Sequence, residues 1–206
     1  MQEMVTLILA AGKGTRMKSD KPKVLHWVGG KPMLAHVVEA ARAIGASRTI
    51  AVVGFGGEQV QLEMGAGLEY AIQSEQRGTG HAVMQAQPIL ADFSGTVLVL
   101  CGDTPLLTTG TLQKLCNAHR DTGAAATVLT ARLENPAGYG RILRDDAGGV
   151  VGIVEQKDAS PKQLAIDEIN TGIYCFESAP LFHALKNLTC SNAQKEYYLT
   201  DVLAIL

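Results

Sequence analysis

Five short apolar runs, separated mostly by stretches of helical character, constrain the fold of this chain more than any other feature of its sequence. The runs are residues 5–10, 49–55, 68–73, 96–101 and 124–133. The first and fourth, VTLILA and TVLVLC, are apolar almost throughout, which is typical of strands buried on both faces of a sheet. Because strands that alternate with helices form parallel βαβ units, this part of the chain predicts a mostly parallel sheet.

The segments between and after these runs complete the predicted fold. Helical periodicity predicts helices over residues 33–45, 58–64, 80–90 and 107–123. After residue 134 the pattern changes. Residues 140–156 predict a β-hairpin around the turn DDAGG, and a strand at 169–176 and helices at 178–188 and 196–206 follow. We therefore predict one α/β domain with a mostly parallel central sheet and a mixed-strand insertion in its second half.

Composition excludes several classes of protein. The chain has 206 residues, 47% of them hydrophobic, and a net charge of −2, so it lacks the basic excess of a nucleic-acid-binding protein. It shows neither a secretory leader nor an apolar run long enough to cross a membrane. Its four cysteines form no CxxC pair. We expect a cytoplasmic protein with reduced thiols and with neither a nucleic-acid nor a membrane partner.

A glycine-rich loop, LAAGKGTRM at residues 9–17, follows the first apolar run. It does not match the Walker A loop, and Met17 stands where the dinucleotide-binding fingerprint needs its third glycine. Glycines nevertheless let backbone N–H groups approach phosphate oxygens, and Arg16 and Lys23 could neutralise phosphate charge. The loop therefore predicts a polyphosphate site, with a plain turn carrying solvated cations as the alternative.

The longer opening segment, LAAGKGTRMKSDKPKVLH at residues 9–26, resembles the signature of the sugar nucleotidyltransferases. Its GTRM and PKVLH parts are similar to those of bacterial bifunctional N-acetylglucosamine-1-phosphate uridyltransferases. Six further segments match that family in order: EQRGTGHAV (75–83), GDTPLL (102–107), GYGRI (138–142), GIVEQKDA (152–159), EINTGIY (168–174) and NAQKEYYLTD (192–201). The matches span nearly the whole chain, so the resemblance implies a Rossmann-like nucleotidyltransferase domain over residues 1–206.

The resemblance also implies a reaction and an organisation. UTP and N-acetylglucosamine 1-phosphate would give UDP-N-acetylglucosamine and pyrophosphate, with Mg²⁺ as cofactor, for the synthesis of cell-envelope precursors. The family's left-handed β-helix acetyltransferase domain, through which the parent protein would form a homotrimer, is absent here. We expect this chain to be C-terminally truncated and monomeric. The sequence also stops before an Asn that completes the family's Mg²⁺ site, and Cys101 stands where relatives often carry Tyr.

Three residues are the catalytic candidates that the resemblance implies. Asp103 directly follows the strand at 96–101, at the strand's carboxyl end, where open α/β sheets bind ligands. It is the expected Mg²⁺ ligand, because Mg²⁺ binds one or two carboxylates together with phosphate oxygens and water. Arg16 and Lys23 would neutralise the triphosphate. The alternatives are a turn-capping Asp and two exposed surface cations.

The expected substrate contacts fall into a nucleotide group and a sugar group. In the first, Gln73 would pair with the uracil edge through one donor and one acceptor. The remaining nucleotide candidates are Leu9, Ala10, Ala11, Gly12, Gly14, Thr15, Lys23, Gly78, Thr79, Cys101, Gly102 and Asp103. Gly140, Glu155 and Asn170 match the family's sugar-binding positions. The alternative for Gln73 and Glu155 is an ordinary polar position on a strand.

Two other functions remain open from sequence. One is a nucleotidyltransferase of other base or sugar specificity, which the glycine loop alone does not exclude. The other is a catalytically inactive module that binds a sugar nucleotide. A dinucleotide-dependent oxidoreductase is disfavoured by the missing third glycine and by the lack of an ionisable residue at the end of the second strand, VVGFGG.

Overall fold

A computed structural model of the protein describes residues 3–14 and 17–206. Four parallel strands form the first half of its sheet, in the spatial order β5-β4-β1-β6. They are β1 (Met4–Ala10), β4 (Arg48–Val53), β5 (Glu69–Ile72) and β6 (Thr96–Cys101). Short strands β2 (Trp27–Val28) and β3 (Lys31–Pro32) form a separate antiparallel ribbon. The predicted parallel sheet is thus confirmed, with strand ends within two residues of those expected.

The second half of the sheet is antiparallel. Strand β10 (Glu168–Glu177) pairs with β6, with β7 (Ala126–Arg132) and with the first strand of a hairpin. That hairpin is formed by β8 (Arg141–Arg144) and β9 (Val150–Val154). The pairing of β10 with β7 shifts register between Asn170 and Tyr174. This irregularity lets one long strand serve both the parallel half and the hairpin, which is the mixed insertion predicted from sequence.

Helices cover both faces of the sheet because side chains of a strand alternate between its faces. Val5 and Leu7 of β1 belong to one buried cluster, and Ile8 and Ala10 belong to the other. The helices are α1 (Met33–Ala43), α2 (Gly57–Met64), α3 (Thr79–Ala86), α4 (Thr109–Thr122), α5 (Pro161–Leu164), α6 (Ser178–Leu185) and α7 (Val202–Ile205). None of the helices in the described ranges is long and apolar enough to cross a membrane.

Two helix predictions differ from the structure. The helix expected at 80–90 is α-helical only through Ala86 and continues as a 3-10 helix over Gln87–Leu90. Pro88 explains the change, because proline has no N–H to continue the α-helical ladder. The helix expected at 196–206 is a 3-10 turn at Leu199–Asp201 followed by α7. The preceding residues instead run alongside the segment between β5 and α3, where Tyr197 N–H donates to the Arg77 carbonyl at 2.8 Å.

Candidate active site

A cavity of about 720 Å³ opens at the carboxyl ends of β1 and β6. The chain leaves β1 toward β4 and β5 on one side and later reaches β6 on the other side. The connections diverge at this point and leave a crevice, which is where open α/β sheets bind their ligands. The lining residues are Leu9, Ala10, Ala11, Gly12, Gly14, Met17, Lys23, Val24, Gln73, Gln76, Gly78, Thr79, Ala82, Cys101, Asp103 and Glu196.

Backbone hydrogen bonds fix the start of the glycine loop. The Leu9 carbonyl accepts from Gly102 N–H at 2.9 Å, and the Ala11 carbonyl accepts from Phe55 N–H at 3.3 Å. Gly12 is exposed, and a Cβ built on it would meet no atom within 4 Å, so its backbone is open to a ligand. Thr15 and Arg16, two of the residues expected at the phosphates, lie outside the described residues.

Gly14 is required by the packing of the loop against Lys23. Its φ is +60°, and a Cβ there would lie 2.6 Å from Cβ of Lys23. Any larger residue would therefore combine a strained backbone with a steric overlap. The aliphatic part of Lys23 passes directly against the loop, and this contact helps to hold the ammonium group at the cavity.

The Lys23 ammonium group forms an ion pair with Oδ2 of Asp103. The two side chains are 32% and 31% exposed, and both line the cavity. The turn that presents Asp103 is closed by Thr104, whose Oγ1 donates to the Cys101 carbonyl at 2.7 Å. The structure thus brings together the phosphate-binding cation and the metal-binding carboxylate expected from sequence.

Cys101 lines the same cavity but is unsuited to nucleophilic chemistry. Burial raises the pKa of its thiol to about 12, and the nearby Asp103 carboxylate raises it further than Lys23 lowers it. The thiol donates to the Gly172 carbonyl at 3.4 Å. It is therefore protonated at neutral pH and serves to connect β6 with β10. Gly102 is not one of the lining residues, and a Cβ built on it would lie 3.1 Å from the Leu9 carbonyl.

Gln73 is 3% exposed and presents a different edge to the cavity from the one expected. Its Nε2 donates to the Gly78 carbonyl at 3.0 Å and lies 3.1 Å from Nδ1 of His81. Because a carbonyl can only accept, Nε2 must face Gly78, and its second hydrogen can be donated to Nδ1 of His81 in the tautomer that carries its proton on the other ring nitrogen. The side chain therefore offers a base its oxygen, Oε1, instead of one donor and one acceptor.

Gly78 and Thr79, with Gln73, form one wall of the cavity, the nucleotide wall. Gly78 and Thr79 also contact the C-terminal segment. Thr79 Oγ1 accepts from Leu199 N–H at 3.0 Å, and Gly80 N–H donates to the Tyr197 carbonyl at 2.8 Å. A Cβ on Gly78 would lie 2.5 Å from that same carbonyl. The nucleotide wall and the NAQKEYYLTD segment, far apart in sequence, therefore form one packed unit.

The three expected sugar-binding residues form a second group that does not line this cavity. Asn170 N–H donates to the Gly140 carbonyl at 2.9 Å, and a Cβ on Gly140 would lie 3.4 Å from Oε1 of Glu155. Asn170 Oδ1 accepts from Gly172 N–H at 2.9 Å, and the Gly172 carbonyl accepts from Cys101. The second group is thus connected to the cavity residue Cys101 through Gly172, which lies where the register of β10 shifts.

Glu155 is a partly buried carboxyl within this second group. Thr200 Oγ1 donates to its Oε1 at 3.4 Å. Burial is the main cause that raises the pKa of Glu155, with further contributions from the charges of Asp201 and Asp158. Such a group is suited to accept hydrogen bonds from hydroxyls, while the Asn170 amide can both donate and accept.

Sequence reasoning missed five residues that line the cavity: Met17, Val24, Gln76, Ala82 and Glu196. All of them lie inside segments that carried the resemblance, so the motifs located them without assigning them a part. Glu196 could not be placed by spacing, because it reaches the cavity only through the long-range pairing of residues 77–80 with Tyr197.

The donor groups fit a magnesium ion that is held mainly by its substrate. Within residues 3–14 and 17–206, no three His, Cys, Asp or Glu side chains cluster closely enough to bind a metal by themselves. Asp103 presents a single, partly exposed carboxylate to the cavity. Mg²⁺ commonly binds one or two carboxylates, with phosphate oxygens and water completing its octahedron.

Comparison with known proteins gives one family and a set of relatives. The model of the MobA-like NTP transferase domain matches residues 6–189. The bifunctional protein GlmU of Pelotomaculum thermopropionicum is 57% identical over 203 residues, which are 98% of this chain and 44% of that protein. GlmU of Heliobacterium modesticaldum is 58% identical over 205 residues, which are 100% of this chain and 45% of that protein. The chain thus spans less than half the length of these relatives.

A solved structure of UDP-glucose pyrophosphorylase complexed with UDP-glucose has the same fold. The TM-score is 0.77 at 18% identity, over 100% of this chain and 86% of that chain. At this identity the likeness shows the fold alone. It confirms the predicted fold class, a Rossmann-like α/β domain with a mostly parallel central sheet.

Proposed function

The chain belongs to the MobA-like NTP transferase domain family, and on that premise we propose that it transfers the uridylyl group of UTP to N-acetylglucosamine 1-phosphate. The products are UDP-N-acetylglucosamine, a precursor of the cell envelope, and pyrophosphate. Residues 1–206 form the nucleotidyltransferase unit in this proposal. The observation that carries it is the cavity at β1 and β6, which joins a glycine loop, a buried amide and the Lys23–Asp103 pair.

The nucleotide lies along the first half of the sheet. The backbone of Leu9 to Gly12 packs against the uridine, and Gly14 and Thr15 bind the phosphates. Gln73 Oε1 accepts from N3–H of uracil, which cytosine lacks at that position. Gly78 and Thr79 complete this wall. Support for this arrangement comes from the lining of the cavity and from the fixed orientation of the Gln73 amide.

The sugar phosphate enters from the second half of the sheet. Gly140, Glu155 and Asn170 bind the N-acetylglucosamine ring through its hydroxyl and amide groups. Cys101 and Gly102 lie between this group and the nucleotide. The phosphate oxygen of the acceptor then meets the α-phosphorus of UTP in line. The short path from Asn170 through Gly172 to Cys101 supports the placement of the sugar beside the cavity.

The chemistry requires charge neutralisation instead of a general base. A sugar phosphate has a second pKa of about 6, so its attacking oxygen is already ionised at neutral pH. Asp103 would hold the magnesium ion, which would supply further positive charge at the phosphates. Lys23 and Arg16 neutralise the triphosphate and the leaving pyrophosphate, and this charge neutralisation lowers the barrier. The neutral thiol of Cys101 takes no covalent part.

We place this activity in the cytoplasm, where UTP is available. The four cysteines, all in the described part of the chain, are free thiols. Free thiols are usual in a reducing compartment.

A pyrophosphate-release assay with Mg²⁺ tests the proposal. N-acetylglucosamine 1-phosphate and glucose 1-phosphate are each combined with UTP, CTP, ATP and GTP. We expect turnover with UTP and the acetylated sugar phosphate alone. Turnover with a different pair would reassign the specificity, and UTP binding without turnover in any combination would favour a sugar-nucleotide-binding module.

A further inference from the structure

The Lys23–Asp103 ion pair uses the same carboxylate that the proposed metal requires. Lys23 Nζ contacts Oδ2 of Asp103 directly. Among the lining residues in the described ranges, Lys23 is the one cationic side chain, and Asp103 and Glu196 are the carboxylates. The charge that would attract a divalent cation to Asp103 is therefore already balanced by the protein itself.

Two features hold Lys23 at this position while leaving its ammonium group free to move. Its backbone begins a 3-10 helix, Lys23–Leu25, whose other two residues are buried. Its stem passes against Gly14, whose missing side chain leaves the space that it needs. Beyond the stem, the ammonium group is a point charge on a flexible chain of four carbons, so it can exchange one anionic partner for another nearby.

We propose that Lys23 and a divalent cation compete for Asp103 and that the triphosphate decides between them. With Lys23 on Asp103, a metal ion alone binds weakly, because it must displace a positive charge from the carboxylate that would hold it. When a triphosphate occupies the glycine loop, its oxygens give Lys23 a new partner, and Asp103 is released to the metal. Lys23 thereby couples metal binding to nucleotide binding. This inference rests on the proposed function of the cavity as a metal-dependent nucleotide site.

Manganese binding to the nucleotide-free protein tests the inference without requiring turnover. The fraction of free Mn²⁺ is followed by electron paramagnetic resonance while the ion is titrated into the wild-type chain and into Lys23→Met. We expect Lys23→Met to bind Mn²⁺ about tenfold more tightly, because removal of a unit charge a few ångströms away is worth at least that near a protein surface. The double variant Lys23→Met/Asp103→Asn should lose the gain.

A matched control separates the ion pair from a general change in charge. Lys21→Met removes the same charge two residues away, from a lysine that pairs with Glu63 at 3.6 Å and does not line the cavity. It should leave Mn²⁺ affinity within about twofold of wild type, because Lys21 pairs with Glu63 and not with Asp103, and salt screens its remaining effect. Equal gains in Lys21→Met and Lys23→Met would overturn the inference, as would a gain that persists without Asp103.

Independent measurements separate the competition at Asp103 from a folding defect and from the proposed activity. Melting curves by circular dichroism show whether each variant is folded, and Lys23→Gln replaces Lys23→Met if the latter is not. An unchanged Mn²⁺ affinity in a folded Lys23 variant contradicts the competition even if the wild-type chain makes UDP-N-acetylglucosamine. A gain that depends on Asp103 supports the competition even if the wild-type chain turns over no substrate.

Discussion

In the proposed function, single residues decide which nucleotide the cavity can hold, and Gln73 is the clearest case. Its position after an apolar strand indicates from sequence that it could contact a base, but the edge that it presents could not be predicted. That edge depends on the Gly78 carbonyl and the His81 ring, which the fold of the β5–α3 connection brings to Nε2. Asp103 was easier to anticipate, because its place at the end of a buried strand is a property of the sequence itself.

Replacement of Gln73 should therefore affect the nucleotide selectively. Gln73→Ala removes the acceptor for uracil N3–H, and the loss of one such hydrogen bond should raise KM for UTP about tenfold. KM for N-acetylglucosamine 1-phosphate should change by less than about twofold, because no contact to the sugar group is lost. Steady-state kinetics with each substrate varied in turn measures both values. Gln85→Ala, on α3 and outside the cavity lining, is the control and should leave both KM values unchanged. Equal increases in both KM values for Gln73→Ala would refute the role of Gln73 in binding the base.

At the scale of elements, the glycine loop depends on how closely three strand ends approach one another. A Cβ built on Gly54, after β4, would lie 2.8 Å from the Gln73 carbonyl and 3.0 Å from the Ala11 carbonyl. These are backbone atoms at the ends of β5 and β1, so neither can move without shifting its strand. The strands could be predicted from sequence because their apolar residues indicate that they are buried. It could not predict this contact, because close packing between strand ends depends on the finished sheet.

Gly54→Ala should accordingly destabilise the domain, whereas a substitution in the open part of the loop should not. Forced overpacking of this kind costs about 1–3 kcal/mol, which should appear as a lower denaturation midpoint in urea. Gly12→Ala is the matched control, because no atom lies within 4 Å of the Cβ it would add. If the two variants unfolded at the same urea concentration, the close approach at Gly54 would not be a constraint on the fold.

Glu168 of β10 connects three of the four strands of the antiparallel half and provides a pH-dependent contribution to stability. Arg144 Nε and Nη2 on β8 donate to its two oxygens at 2.9 and 2.7 Å, and Arg132 Nη2 on β7 lies 3.7 Å away. The carboxylate is only 8% exposed. The hydrogen bonds from Arg144 are the main reason that the pKa of Glu168 falls to about 2, from an ordinary value of 4.5.

Because the folded-state pKa is lower than the unfolded one, the stabilisation is complete above about pH 5 and is lost as pH falls toward 2. Glu168→Gln should cost about 1.5 kcal/mol at pH 7, the usual worth of a charge-assisted hydrogen bond. The difference from wild type should shrink progressively as pH falls below about 4.5. Thermal unfolding of both proteins between pH 7 and pH 2.5 measures this, and a difference that stays constant with pH would argue against a charged Glu168 as its source.

At the scale of the whole molecule, the two halves of the sheet carry the two proposed substrates. The parallel half presents the glycine loop, Gln73 and Asp103, and the antiparallel half presents Gly140, Glu155 and Asn170. They meet where β10 pairs with β6, near the contact between Cys101 and Gly172. Sequence anticipated this division from the change of rhythm after residue 134. It did not anticipate that the segment around Tyr197 would return to close the nucleotide wall, because that contact spans more than a hundred residues.

In the proposed function, this cavity transfers the uridylyl group of UTP to N-acetylglucosamine 1-phosphate, and the transfer depends on Asp103. The most direct test is a ³¹P NMR spectrum of the chain incubated with both substrates and Mg²⁺, recorded beside Asp103→Asn. We expect the wild-type chain to give the two coupled phosphorus signals of a sugar diphosphate together with an equal amount of pyrophosphate. Asp103→Asn, folded by circular dichroism, should form neither. Release of orthophosphate and UDP without a sugar diphosphate, or equal product from Asp103→Asn, would contradict the proposed function.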